Sequence, residues 1–121
     1  MKPFFDLSVE EMKSYGYKIV DLIVSHYEHI ESKKPVSAAS RKEMDTIFLQ
    51  EAPEKGMPAD KVLDFVMENV MPNSNISSHP KAFSFVPGPS NFISTMADSL
   101  ATGFNIFSGG WIVSPAAAEL E

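Results

Sequence analysis

Three histidines, one isolated lysine and two glycine-bearing turns are the features of this sequence best suited to chemistry. His26 and His29 stand three residues apart on what reads as a helix, a spacing at which two imidazoles can share a metal ion. A metal site needs further ligands and none is evident nearby, so two ordinary helix histidines are the simpler reading. His79 precedes Pro80 in a polar stretch. A loop histidine could act as a general acid or base, but no carboxylate is close in sequence, and a residue that anchors a turn is the simpler reading. Lys81 is the only lysine after residue 61, and its surroundings are not those of a lysine that holds a carbonyl cofactor. Pro87-Gly88-Pro89 and Ser108-Gly109-Gly110 match neither a P-loop nor a dinucleotide fingerprint. Their glycines serve backbone freedom, or close approach of backbone to a ligand.

Aromatic side chains crowd the same region. Phe83, Phe85, Phe92, Phe104, Phe107 and Trp111 fall within 29 residues. Several sit on turns flanked by Gly and Pro, where rings line a pocket or an interface as readily as they fill a core.

The elements that must position these groups are mostly helical. Ser8 with Glu11 three residues later forms a capping box, and Met12, Tyr15, Ile19, Leu22, Ile23, Tyr27 and Ile30 follow as one apolar stripe. Pro35 closes that helix. A short helix opens at Ser40 and runs through Leu49, and Ala52 to Pro58 is a turn-rich connector. Asp60 caps a second firm helix that stops at Pro72. Phe83 and Phe85 alternate with small neighbours in Lys81 to Pro89, which predicts a short extended segment. Ser90 or Asn91 caps a third helix to about Ala101, with Phe92, Met96 and Leu100 on one face. Gly103, Gly109 and Gly110 bracket an aromatic turn, and Ser114-Pro115 starts a further helix.

Composition narrows the function. The chain has 121 residues, enough for one small domain, and a formal net charge of -6, which gives nucleic-acid binding no electrostatic support. It has no cysteine, which excludes disulfides, thiolate metal sites and thiol nucleophiles and fits a reducing compartment. The N-terminus is wrong for a signal peptide, and the tract from Phe92 to Phe107 is too short and polar to span a bilayer. Of the charged side chains, 22 lie in residues 1–70 and four in residues 71–121: Lys81, Asp98, Glu119 and Glu121. A stretch with so few charges either forms the core or lies under something larger.

From His79 to Phe92 the sequence HPKAFSFVPGPSNF resembles the opening of the conserved region of group II pyridoxal-phosphate-dependent amino-acid decarboxylases. Ala97-Asp98, then Gly103 to Trp111 and Ser114 to Glu121, continue the resemblance without a gap, and the look is that of bacterial members of the aromatic-amino-acid branch. The resemblance is strong from about residue 78 and weak before it. It implies a mainly α chain: the N-terminal helical appendage of a fold-type I enzyme, three or four helices joined by Pro/Gly-rich turns, with the large α/β domain absent. Residues 1–72 would supply amphipathic helices, and residues 73–121 the apolar pocket and interface segment of one continuous unit.

The same resemblance implies roles by position. Phe85, Val86, Pro87 and Gly88 match the turn that lines the pocket for the substrate side chain, with Gly88 where animal enzymes carry a threonine. Phe107 and Gly109 match positions that reach the neighbouring subunit's site. Animal enzymes have a phenylalanine at the second, so glycine implies a roomier pocket. Pro115 and Glu119 match structural positions. The family holds pyridoxal phosphate through a lysine lying beyond the equivalent of residue 121. This chain by itself is therefore expected to bind no cofactor and to be inactive, with no catalytic residue of its own. It is expected to be cytoplasmic and homodimeric, swapped through its helices and apolar tail, and to meet an amino-acid substrate only within a full-length enzyme. Two other readings stay open: a stand-alone self-association module from a truncated decarboxylase gene, and a small aromatic-ligand binder using Phe85, Phe107 and Trp111.

Overall fold

The structure is a computed structural model that describes residues 7–83 and 88–120. It contains five α-helices: α1 (Val9–Glu28), α2 (Arg41–Phe48), α3 (Ala59–Phe65), α4 (Phe92–Phe104) and α5 (Pro115–Leu120). No strand occurs among the described residues. The mainly α class stands, with one helix more than the three or four expected, because the short α2 and α5 both form. Residues 84–87 of the extended segment expected at Lys81 to Pro89 lie outside the described residues, and its described residues form no strand.

Local sequence explains most boundaries. At the start of α1, the Ser8 N–H donates to Glu11 Oε2 at 2.7 Å and the Glu11 N–H donates to Ser8 Oγ at 3.1 Å. This reciprocal pair satisfies donors that the first turn leaves open. The α-helix ends at Glu28 rather than at Pro35, and a 3-10 turn (Ile30–Ser32) follows. Ser32 contributes to that end, because its hydroxyl donates to the His29 carbonyl at 2.7 Å. Ser40 and Glu43 repeat the capping box at α2, and Asn91 and Ser94 do so at α4.

Three expectations shift. The residue preceding α3 is Pro58, so Asp60 sits inside the first turn, where its charge favours the positive end of the helix dipole. Pro72 does not stop the chain: a π-helical turn (Val66–Val70) and a 3-10 turn (Met71–Asn73) carry it one residue past the proline. Proline lacks only its own donor, and the first turn of a 3-10 helix does not need that donor. Gly103 lies within α4 instead of bracketing the aromatic turn, and α4 ends where Asn105 adopts the left-handed conformation, φ 49 and ψ 47. Asparagine is one of the few residues that tolerates this conformation.

The chain forms two compact units, Met1–Glu28 with Ser90–Glu121, and His29–Pro89. In the first, the Tyr27 hydroxyl and Ser90 Oγ lie 3.3 Å apart. In the second, the Ile76 N–H donates to the Pro35 carbonyl at 2.9 Å, the Ser37 N–H donates to Asn75 Oδ1 at 3.3 Å, and the Phe48 and Phe65 rings meet edge to face at 5.8 Å. The composition change near residue 72 falls inside the second unit.

Among the described residues, no apolar side chain is buried. On the α1 stripe, Tyr15, Leu22, Ile23, Tyr27 and Ile30 are half-buried, while Met12 and Ile19 are exposed. The α4 face retains only Met96 as a half-buried member, with Phe92 and Leu100 exposed. The amphipathic stripes are real, but among the described residues none of their apolar side chains is fully buried.

Candidate substrate-pocket and interface site

The first expected pocket turn is described only at Gly88. Phe85, Val86 and Pro87 lie outside the described residues. Gly88 is exposed, and a Cβ added there would meet nothing within 4 Å. Neither crowding nor a positive φ requires glycine at 88.

The second turn is better defined. Asn105 redirects the chain out of α4, which places Phe107 on an exposed loop, 61 % accessible. The Phe107 ring folds back over Gly109: an ideal Cβ at 109 would lie 2.9 Å from Phe107 Cε2 and 3.0 Å from Cε1, with Cζ nearer still. Real Cβ atoms do not approach rings so closely, so the glycine gives the ring its seat. Gly109 has no positive φ, so its backbone conformation does not demand glycine. The Phe107 ring thus occupies the place a Cβ at residue 109 would take.

Two hydrogen bonds to one carbonyl close this loop, from the Val113 and Ser114 N–H groups to Gly110 O, both at 3.1 Å. The Trp111 indole Nε1–H then donates to Glu119 Oε1 on α5 at 2.8 Å. Phe107, Trp111, Ile112 and Val113 all remain exposed, with Ile112 at 92 %. Sequence reasoning placed Glu119 at a structural position and missed its partner. A spacing of eight residues across a turn has no periodic signature.

His79 occupies a different setting. It is 4 % exposed, the one buried polar residue among those described. Its N–H donates to the Ile76 carbonyl at 3.1 Å, and its own carbonyl accepts from the Ala82 N–H at 2.8 Å. Its ring Nδ1 accepts from the Lys81 N–H at 2.9 Å. A ring nitrogen that accepts carries no proton, so the neutral ring bears its proton on Nε2. That Nε2 is buried and has no hydrogen-bond partner. Leaving such a donor unmet costs roughly 1–3 kcal/mol. No carboxylate is bonded to the ring, which leaves the turn-anchoring role as the one with geometric support.

The other candidates do not converge. His26 is half-buried and packs edge to face on Tyr27 at 5.7 Å, while His29 is exposed. Among the described residues, no three His, Asp or Glu side chains gather as a metal site would require. No helix among them is long and apolar enough to cross a membrane.

Comparison with known proteins adds the identity of the pattern. No family model matches the chain. A curated aromatic-L-amino-acid decarboxylase of Bacillus atrophaeus is 39 % identical over 122 residues, which cover 100 % of this chain and 25 % of that protein. The chain corresponds to the N-terminal segment of the group II pyridoxal-phosphate decarboxylase family. A phenylacetaldehyde synthase of Arabidopsis thaliana is 30 % identical over 93 % of the chain. The chain spans about a quarter of the length of the curated relatives it matches. The crystal structure of Catharanthus roseus tryptophan decarboxylase in complex with L-tryptophan superimposes with a TM-score of 0.83 at 24 % identity, covering 98 % of this chain and 25 % of that one. At that identity the likeness concerns the fold.

The cofactor named for a rice relative, whose structure was solved with PLP, can be tested against these residues. A lysine that forms an imine must sit where its amine is desolvated or has its charge suppressed. Every described lysine is exposed, Lys81 included. The described residues do not fit pyridoxal phosphate.

Proposed function

We propose that this chain is the dimerisation and substrate-pocket portion of a cytoplasmic pyridoxal-phosphate-dependent decarboxylase acting on aromatic L-amino acids. In this reading the cofactor and its lysine belong to the rest of a full-length enzyme, and the chain by itself neither holds the cofactor nor releases carbon dioxide. Phe85, Val86, Pro87 and Gly88 line the side-chain pocket, and Phe107 and Gly109 reach toward the partner subunit's site. Decarboxylation is preferred over aldehyde formation because the 39 %-identical relative carries the former name.

One observation carries the reading: no apolar side chain is buried among the described residues, although 44 % of the chain is hydrophobic. Ile93, Leu100, Phe104, Ile112 and Leu120 are each more than half exposed within the charge-poor second half of the chain. Such a surface fits permanent cover by a larger body or a second copy.

Sedimentation velocity on the purified chain, with and without pyridoxal phosphate, tests this. The expected result is self-association and no imine absorbance on adding cofactor. A clean monomer would count against the interface role, and an imine band with carbon dioxide release from an aromatic amino acid would overturn the assignment of the chemistry to another part of the enzyme.

A further inference from the structure

Resting on the reading that the loop of Phe107 and Gly109 faces a partner subunit, we propose that Glu119 is the positioning residue of that loop. It holds Trp111 so that Trp111, Ile112 and Val113 meet a second copy of the chain with no polar group left unmet. Local ties shape the loop along its length. Asn105 turns it out of α4 in the left-handed conformation, and the Phe107 ring covers Gly109. The Gly110 carbonyl accepts the Val113 and Ser114 N–H groups, both at 3.1 Å, and the Trp111 indole N–H donates to Glu119 Oε1 at 2.8 Å. Two consecutive glycines, 109 and 110, are the residues that lose most freedom when ordered. Yet Phe107, Trp111, Ile112 and Val113 are all more than half exposed. A loop held in one shape without burying its apolar side chains is preorganised for a contact outside itself.

Charge selects the occupant. The chain has a net charge of -6, which disfavours contact between two copies. Residues 99–118 carry no charged side chain, so two copies can meet there without like charges facing one another. Glu119 is the first charge after that stretch, and its carboxylate is bonded back into the loop. While both groups stand in water the bond adds little, because water serves each of them as well. Under cover the balance changes. A desolvated carboxylate requires a donor, and a desolvated indole N–H requires an acceptor. Each supplies the other, so the pair can enter an apolar contact together.

The test uses the full 121-residue chain. Sedimentation velocity over a dilution series compares the parent with Glu119→Gln, which keeps an acceptor oxygen, and Glu119→Ala, which does not. Hydrogen exchange at the Val113 and Ser114 amides reads the loop. The Ala118 amide, which donates to the Ser114 carbonyl at 3.0 Å, reads α5 separately. Expected are a parent that self-associates, a Gln variant within about threefold of it, and an Ala variant weaker by about tenfold or more, the scale of a buried donor left unmet. Alanine is a better helix former than glutamate, so the Ala118 amide keeps its protection. Equal association of the Ala variant and the parent, or a Gln variant as weak as the Ala variant, would overturn the proposal. A parent that is a clean monomer counts against the interface reading, and exchange then decides the positioning role. Val113 and Ser114 exchanging about threefold faster in the Ala variant, but not in the Gln variant, supports Glu119 as the anchor of Trp111. Unchanged exchange in both overturns it.

Discussion

The Phe107 ring rests on the Cα of Gly109, with Cε2 2.9 Å and Cε1 3.0 Å from the place a Cβ would take. This couples the two positions proposed to reach toward a partner subunit. Gly109→Ala must displace the ring, and the ring can move because its far edge lies on an exposed loop. The stability cost is therefore small, under about 1 kcal/mol, as for other surface substitutions. The expected signature is loss of cross-relaxation between the Phe107 ring protons and residue 109, with helix content unchanged.

Trp111 and Glu119 form a second, independent tie across the turn into α5. Trp111 is the sole tryptophan, so its fluorescence reports this bond directly. Glu119→Ala should free the indole, shift its emission to the red and lower its anisotropy. Glu119→Gln retains an acceptor oxygen and should leave the emission close to that of the parent. The bond contributes about 1 kcal/mol at most in this exposed setting.

Asn105 ends α4 in the left-handed region. Asn105→Ala should cost about 1 kcal/mol of local stability, because a Cβ without a compensating polar group is crowded there. Asn105→Gly should be neutral or slightly favourable. Amide exchange over the last turn of α4 distinguishes the two.

Acid should loosen α2 from its N-terminus. The Ser40 hydroxyl and the Ser40 N–H, each donating to Glu43 Oε2 at 2.7 Å, hold the Glu43 carboxyl below its ordinary value. The folded value lies below the unfolded one, so the contribution is present above the unfolded value and is lost as pH falls through the folded one. Exchange of the Ser40 amide, followed from neutral pH into the acid range, should accelerate in that window. Glu43→Gln should remove the dependence, since its amide oxygen accepts at every pH.

Much of this architecture is local and was legible in the residues. The Ser8–Glu11 box was readable because both partners lie within one helical turn, and the periodic stripe of α1 follows from the same short range. Pro115 as the first residue of α5 is a rule of helix ends. The motif from His79 to Trp111 identified the family before any coordinates, because a long gapless pattern of Pro, Gly and aromatic residues is far more specific than a hydrophobic period.

What the sequence determined by itself, then, was most of the helix placement, the reciprocal cap at Ser8, helix starts at Ser40 and at Ser90 or Asn91, and the likeness to the decarboxylases; that the caps at Ser40 and Asn91 are also reciprocal came from the structure. Only the tertiary structure decided that His79 is buried with one ring nitrogen bonded and the other unmet, that Phe107 fills the space above Gly109, and that Trp111 reaches Glu119. Each of these depends on how a turn closes, and turn closure sets which atoms meet without leaving a period in the sequence. The same limit applies to the apolar stripes. A pattern fixes which face of a helix must be covered, but how far that face is buried is a matter of three-dimensional packing, and among the described residues no apolar side chain is fully buried.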